Sequence, residues 1–198
     1  YEFYPVLEGD YYVKFPTKTG FIFADANAAG DSHTDFDITN DNGLGTTSLI
    51  NVENLKYYTH LDAGYQDVRG SISGYVWYDT DGNGILENSE SGINNVTVEL
   101  YGSAGNLVSI KTTDTDGKYE FDQLIPSDFY VKVNLLQNRY FVEPNQGLND
   151  NLDSEIDGSH GSGTTALIQL ANFQHIDNYN TGMSAFGIIK TSVFFDSN

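Results

Sequence analysis

Val96-Thr97-Val98-Glu99-Leu100-Tyr101 alternates apolar and polar side chains residue by residue. Successive side chains of a strand point to opposite faces, so this run reads as a β-strand with one face buried. Working outward, strands are also expected at 73–78, 108–113, 119–124, 129–135, 139–142 and 164–170. Turn clusters separate them at 79–84, 102–106, 114–117 and 145–163, and nine of the 20 glycines fall in these turns. Glycine is the residue that accepts the positive φ such turns demand. No window sustains a helical period. Many short strands with regular turns predict an all-β fold, a Greek-key β-sandwich of immunoglobulin-like type.

The composition fits a packed β-protein. Of 198 residues, 39% are hydrophobic and 14% aromatic, which is enough for a core and argues against a disordered chain. Nine Lys+Arg stand against 28 Asp+Glu, a formal net charge of -19. Such a chain is repelled by nucleic-acid phosphates and by anionic membrane surfaces, and its natural counter-partners are cations. There is no cysteine, so disulfides, thiolate zinc sites and cysteine nucleophiles are excluded. No apolar run approaches the ~20 residues needed to span a bilayer, and no signal peptide is visible at the start.

The sequence matches itself without a gap at an offset of 118 residues, with 19 identities between 1–65 and 119–183. Tyr1-Glu2-Phe3 returns as Tyr119-Glu120-Phe121, and Gly45-Thr46-Thr47 as Gly163-Thr164-Thr165. A second echo links Val76-Trp77-Tyr78-Asp79 to Val193-Phe194-Phe195-Asp196. The expectation is a tandem array. Residues 1–69 read as the C-terminal part of one β-sandwich module and 70–185 as a complete module. Residues 186–198 then supply the opening strand of the next and the start of the acidic turn that follows it. The short joint at 67–71 predicts modules that abut closely.

One stretch carries metal chemistry. Asp79-Thr80-Asp81-Gly82-Asn83-Gly84-Ile85-Leu86-Glu87-Asn88-Ser89-Glu90 satisfies every constrained position of the twelve-residue EF-hand calcium loop. Asp79, Asp81 and Asn83 place oxygens at positions 1, 3 and 5, and Gly84 permits the sharp turn. Ile85 offers its backbone carbonyl, Glu87 sits where ligation often passes through water, and Glu90 can bind with both oxygens. Ca²⁺ takes six to eight hard oxygen ligands, and four carboxylates within twelve residues repel one another until a cation joins them. The flanks are strands and not helices, so the loop is expected to be grafted onto a sandwich and to hold a structural ion. The bland alternative is a solvated acidic β-turn.

Weaker acidic groups stand elsewhere. Asp150, Asp153, Glu155 and Asp157 form an oxygen-rich stretch without fixed ligand spacing, and Asp31, Asp35 and Asp37 are its counterpart in the first module. Each stretch is either a further calcium site or a solvated polar loop. Asp114 and Asp116 either complete a site in three dimensions or shape a hairpin turn. Asp196 and Asn198 begin the same loop in the third module. His33, His60, His160 and His175 show no ligand spacing, and neither a nucleophile elbow nor a P-loop is present. Asn95-Val96-Thr97 fits a glycosylation sequon. Nothing points to catalysis.

Gly74-Tyr75-Val76-Trp77-Tyr78-Asp79 with its loop resembles the B domains of serine–aspartate-repeat surface adhesins of Gram-positive bacteria. Gly92-Ile93, Thr113-Asp114, Gly117-Lys118-Tyr119-Glu120-Phe121 and Asp62-Ala63-Gly64 extend the likeness over essentially the whole chain. The resemblance implies calcium-stabilised sandwiches of the collagen-adhesin B type, standing in tandem as an extracellular stalk on the bacterial cell wall or in a surface filament. It carries Asp79, Asp81, Asn83, Ile85, Glu87 and Glu90 onto the family's first calcium loop. Asp153-Ser154-Glu155 is similar to a later Asp-Ser-Asp segment, with Glu in the third place. The opening strand at 73–78 has no lysine, so the Lys–Asn isopeptide arrangement of some related domains is not expected.

The leading function is therefore a non-catalytic, calcium-stabilised spacer or fibre-forming module. Its partners would be neighbouring modules or like subunits, joined in a filament by strand addition if open sheet edges allow it. The alternative is an adhesive module that recognises a host protein or glycan through an aromatic face. A fragment of a hydrolase is a third possibility without support in this segment.

Overall fold

The computed structural model describes residues 1–25 and 36–187. The expected strand at 188–195 lies outside them. The chain divides into two compact units, Tyr1–Arg69 and Gly70–Asn198. Among the described residues every regular element is a strand, and no helix is long and apolar enough to cross a membrane.

In the first unit β1 (Gly9–Tyr11) pairs antiparallel with β3 (Ile50–Val52), and β2 (Phe21–Phe23) pairs antiparallel with β4 (Tyr65–Asp67). The second unit is a sandwich of ten strands. They are β5 (Gly70–Tyr78), β6 (Ser91–Gly92), β7 (Thr97–Gly102), β8 (Leu107–Thr112), β9 (Lys118–Leu124), β10 (Asp128–Val133), β11 (Arg139–Phe141), β12 (Ile168–Gln169), β13 (His175–Ile176) and β14 (Thr181–Ala185). One sheet runs β12-β10-β7-β8. The other is built on β5, which β6 and β9 flank antiparallel and β13 and β14 flank parallel, with β11 beyond β14. This is the all-β, immunoglobulin-like sandwich that the strand pattern predicts.

The alternation at 96–101 is borne out. Val98 and Leu100 are fully buried while Thr97, Glu99 and Tyr101 lie on the other face. They meet Val131 and Val133 of β10, Ile72 and Val76 of β5, Phe121 of β9 and Met183 of β14 in one core. Each such side chain contributes about 1.5–3 kcal/mol by leaving water. The strand expected at 164–170 shortens to Ile168–Gln169. Thr164 and Thr165 make single bridges instead, because their hydroxyls serve the turn: Thr164 Oγ1 donates to Gly161 O, and Thr165 Oγ1 accepts the Val131 N–H.

The internal repeat extends to strand register. Asp10↔Asn51 and Tyr11↔Ile50 reproduce Asp128↔Gln169 and Phe129↔Ile168. Phe21↔Asp67 and Phe23↔Tyr65 reproduce Arg139↔Ala185 and Phe141↔Met183. The single bridges Lys14↔Thr46 and Ile38↔Thr47 reproduce Lys132↔Thr164 and Ile156↔Thr165. What differs is burial. Tyr119 and Phe121, paired with β5 in one sheet, are 4% and 1% exposed, whereas Tyr1 and Phe3 are 114% and 69% exposed.

Candidate metal centre

The twelve-residue loop leaves β5 at its C-terminal end. Asp79 N–H donates to Met183 O at 3.1 Å, which fixes the first loop residue to β14. The Asp79 side chain is 0% exposed, and its carboxylate accepts the N–H groups of Gly82 and of Gly84, the latter at 2.8 Å. Gly84 sits at φ +81°, where a Cβ would lie 2.7 Å from Glu143 O, so the sharp turn admits only glycine. Glu90, the twelfth residue, closes the loop. Its Oε1 accepts the Thr80 N–H at 2.6 Å and its Oε2 the Glu87 N–H at 3.3 Å.

Asp79, Asp81 and Glu90 thereby offer carboxylate oxygens that all lie within 4.8 Å of one another. Among the described residues this is the group of three acidic, histidine or cysteine ligands whose spacing could hold a metal ion. Asn83 and Glu87 engage each other instead, with Asn83 Nδ2 donating to Glu87 Oε1 at 2.6 Å. Asn83 Oδ1 accepts the Ile85 N–H at 2.7 Å, and the Asn83 N–H donates to Asp81 Oδ1 at 3.1 Å. Three carboxylates converge here, their oxygens each accepting an N–H group of the loop and keeping a further lone pair for a cation. Hard, anionic oxygen donors are the set that divalent calcium or magnesium takes.

The second acidic stretch sits against this loop. Ile85 forms an antiparallel bridge with Asp153, and Leu86 N–H donates to Leu152 O at 2.6 Å. Asp153 is 3% exposed, and its Oδ1 has no hydrogen-bond partner; Thr181 Oγ1 is likewise buried and unpartnered. Burial, and after it the neighbouring Asp150, raises the Asp153 carboxyl above its usual range. Glu155 is pushed up to about 7, first by burial and then by Asp153, Asp150 and Asp157. A buried carboxylate without a partner is costly, and a bound cation removes that cost. The donor set around Asp153 therefore also fits an oxygen-ligated ion.

Other expected residues do different work. Asp114 Oδ1 accepts the N–H groups of Asp116 at 2.9 Å and Lys118 at 2.8 Å, shaping the turn between β8 and β9. Asp114, Asp116 and Glu90 still influence Tyr75, whose hydroxyl is raised first by burial and then by these charges. Asp157 accepts from Ser159 N–H and Oγ, and Asp37 from the Asp62 N–H. Asp31, Asp35, Asp196 and Asn198 lie outside the described residues. Asn180 carries a role the sequence did not announce. Its Oδ1 accepts the Tyr75 N–H and its Nδ2 donates to Asn151 O, both at 3.0 Å, so it ties β5 to the second acidic stretch.

Aromatic side chains of the second unit are largely used internally. Tyr119 and Phe121 are in the core. On the outer face of the β7–β10 pair, Tyr130 is stacked between Tyr101 at 5.2 Å and His160 at 4.4 Å. Tyr101 and Tyr130 are opposite residues in the ladder, the geometry in which cross-strand aromatic pairs support a sheet.

The SdrD B-like domain family matches residues 70–183. The chain is 34% identical over 157 residues to serine-aspartate repeat-containing protein F of Staphylococcus epidermidis, covering 78% of this chain and 9% of that protein. It is 30% identical over 190 residues to serine-aspartate repeat-containing protein D of Staphylococcus aureus, covering 92% of this chain and 13% of that one. It thus spans a small part of the relatives it matches. Among solved structures, the Bacillus anthracis TIE protein is similar at a TM-score of 0.44 and 14% identity, over 90% of this chain and 25% of that one. GBS52, the minor pilin of Streptococcus agalactiae, is similar at 0.42 and 11%, over 77% and 68%.

Proposed function

The chain belongs to the SdrD B-like domain family, and from that membership we propose that it serves as a calcium-stabilised structural repeat of an extracellular bacterial surface protein. Its task is to space and stiffen, without catalysis. Residues 70–185 are one complete module. Residues 1–69 are the C-terminal part of a like module, and 186–198 open a third. The partners are neighbouring modules of the same kind, and the location is the cell surface.

The observation that carries this reading is the convergence of Asp79, Asp81 and Glu90 on one point at the end of β5. The fully buried Asp79 is hydrogen-bonded to backbone already, so the loop is organised for a cation at little further ordering cost. Asn83, Ile85 and Glu87 complete the loop's set, and Asp153 with Glu155 supplies a second site beside it. The internal stacking of Tyr101, Tyr130 and His160 favours a structural use of aromatics over a ligand-binding face.

Thermal unfolding with calcium titrated against chelator and magnesium controls tests the proposal. Extracellular calcium modules bind at ~10⁻⁴–10⁻³ M, so the titration runs into the millimolar range. A saturable rise in midpoint with calcium, and little with magnesium, is expected. An unchanged midpoint would reduce the loop to an acidic turn.

A further inference from the structure

We infer that the Asn83–Gly84 step inside the loop is a site of slow covalent modification, in which Asn83 loses its side-chain amide as ammonia, and that loop closure sets the rate. The Gly84 backbone nitrogen attacks Asn83 Cγ, forming a C–N bond. The Cγ–Nδ2 bond breaks and Nδ2 departs as ammonia, taking up the proton lost from the Gly84 nitrogen, which leaves a five-membered imide. Water then adds to one of the two imide carbonyls and opens the ring, giving aspartate or isoaspartate. The sum is asparagine and water in, acid and ammonia out. Glycine after the asparagine leaves the attacking nitrogen unhindered by a Cβ, and asparagine is among the thermolabile residues.

The loop geometry restrains each atom of that step. Gly84 is buried, and its N–H donates to the Asp79 carboxylate at 2.8 Å. An anion beside that N–H disfavours its loss of a proton. The leaving nitrogen, Asn83 Nδ2, donates to Glu87 Oε1 at 2.6 Å and to Asp81 Oδ2 at 3.1 Å. Asn83 Oδ1 accepts the Ile85 N–H at 2.7 Å. The Gly84 N–H bond to Asp79 must open before nitrogen meets carbon, and the bonds on Nδ2 and Oδ1 hold the side chain against turning toward it, yet Asn83 itself is exposed and water reaches it. The reaction therefore runs through the open fraction of the loop.

The chain contains its own control. Asn42–Gly43 is the same dipeptide in the first unit, with both residues exposed and nothing within 4 Å of the position a Gly43 Cβ would take. The Gly43 N–H donates to Asn40 O, a neutral backbone carbonyl, at 3.1 Å. No carboxylate holds it. The two steps thus differ in the restraint that a filled ion loop would strengthen.

The dependence on ion rests on the function proposed above. Conversion to aspartate adds a carboxylate at the fifth loop position. Conversion to isoaspartate inserts a backbone methylene between positions 5 and 6 and displaces every later ligand. A module kept short of ion would then lose its site irreversibly.

The test incubates the full chain at mildly alkaline pH, in millimolar calcium and in chelator, and quantifies acid and isoaspartate at both asparagines by peptide mapping. Conversion of Asn83 is expected to be at least several-fold faster in chelator, with Asn42 converting equally in both. A calcium-raised melting midpoint with equal Asn83 rates would overturn the gating alone. A calcium-independent midpoint with equal rates would overturn it together with the ion reading.

Discussion

Ile85 and Asp153 face each other across an antiparallel bridge. Ile85 is the seventh residue of the acidic loop after β5, and Asp153 lies 68 positions on, in the second acidic stretch. The bridge makes one region of two oxygen-rich segments, and the carboxylate it brings in is buried with Oδ1 unpartnered. The bridge and the Leu86 N–H to Leu152 O bond beside it fix the two segments against each other.

Glu90→Ala should remove the loop's share of the calcium-dependent rise in melting midpoint, because it removes the residue that closes the loop onto Thr80. At calcium one hundred times the dissociation constant the lost stabilisation is about 2.7 kcal/mol. Asp153→Ala should lower that rise and leave the loop's own site in place. Titration calorimetry of the two variants separates one class of site from two, and equal calcium response in Glu90→Ala and the parent protein would contradict the assignment.

The pH dependence should flatten with ion. Burial raises Glu155 from an ordinary 4.5 to about 7 in the folded chain. The native state then binds more protons than the unfolded state between those values, so without ion stability falls as pH rises from about 4.5 to about 7. A cation held beside Glu155 favours its charged form and removes that fall. Melting midpoints across this window, in chelator and in calcium, check the contrast; Glu155→Gln should flatten the chelator curve.

Gly182→Ala should destabilise the second unit by about 1–3 kcal/mol, the usual cost of overpacking. A Cβ there would lie 2.7 Å from Trp77 Cζ2 and 2.5 Å from Val142 Cγ2. Denaturant unfolding reads the loss, and a neutral substitution would show that Trp77 can move aside.

Placing a second copy of residues 70–118 directly ahead of Tyr1 should complete the first unit, since residue 119 corresponds to residue 1 without insertion. Hydrogen exchange should then slow over 1–6 and β1, which in that setting gain the neighbours that β9 and β10 have. A scrambled copy should leave exchange fast, and equal exchange with both copies would count against the shared architecture.

The strand at 96–101 and the loop spacing at 79–90 were legible because both are local. A period of two and a twelve-residue ligand spacing are written along the chain itself. β14 was not legible, since Thr181-Gly182-Met183-Ser184-Ala185 offers small side chains and no alternation. Four of its five residues are buried, because Gly182 packs against Trp77 and its neighbours pair with β5 and β11. Asn180 escaped for a similar reason: its two hydrogen bonds reach Tyr75 and Asn151, far away in sequence.

Tyr-Glu-Phe occurs twice and marks the boundary between the two kinds of information. The sequence alone determined that 1–3 and 119–121 are equivalent, that the fold is all-β, and where an acidic loop with metal-ligand spacing lies. Only tertiary structure decided that Tyr119-Glu120-Phe121 is strand within β9 while Tyr1-Glu2-Phe3 is not. A strand's backbone groups are satisfied by a partner and not by the strand itself. β5 supplies that partner to β9 in the second unit, from a stretch of chain more than forty residues away.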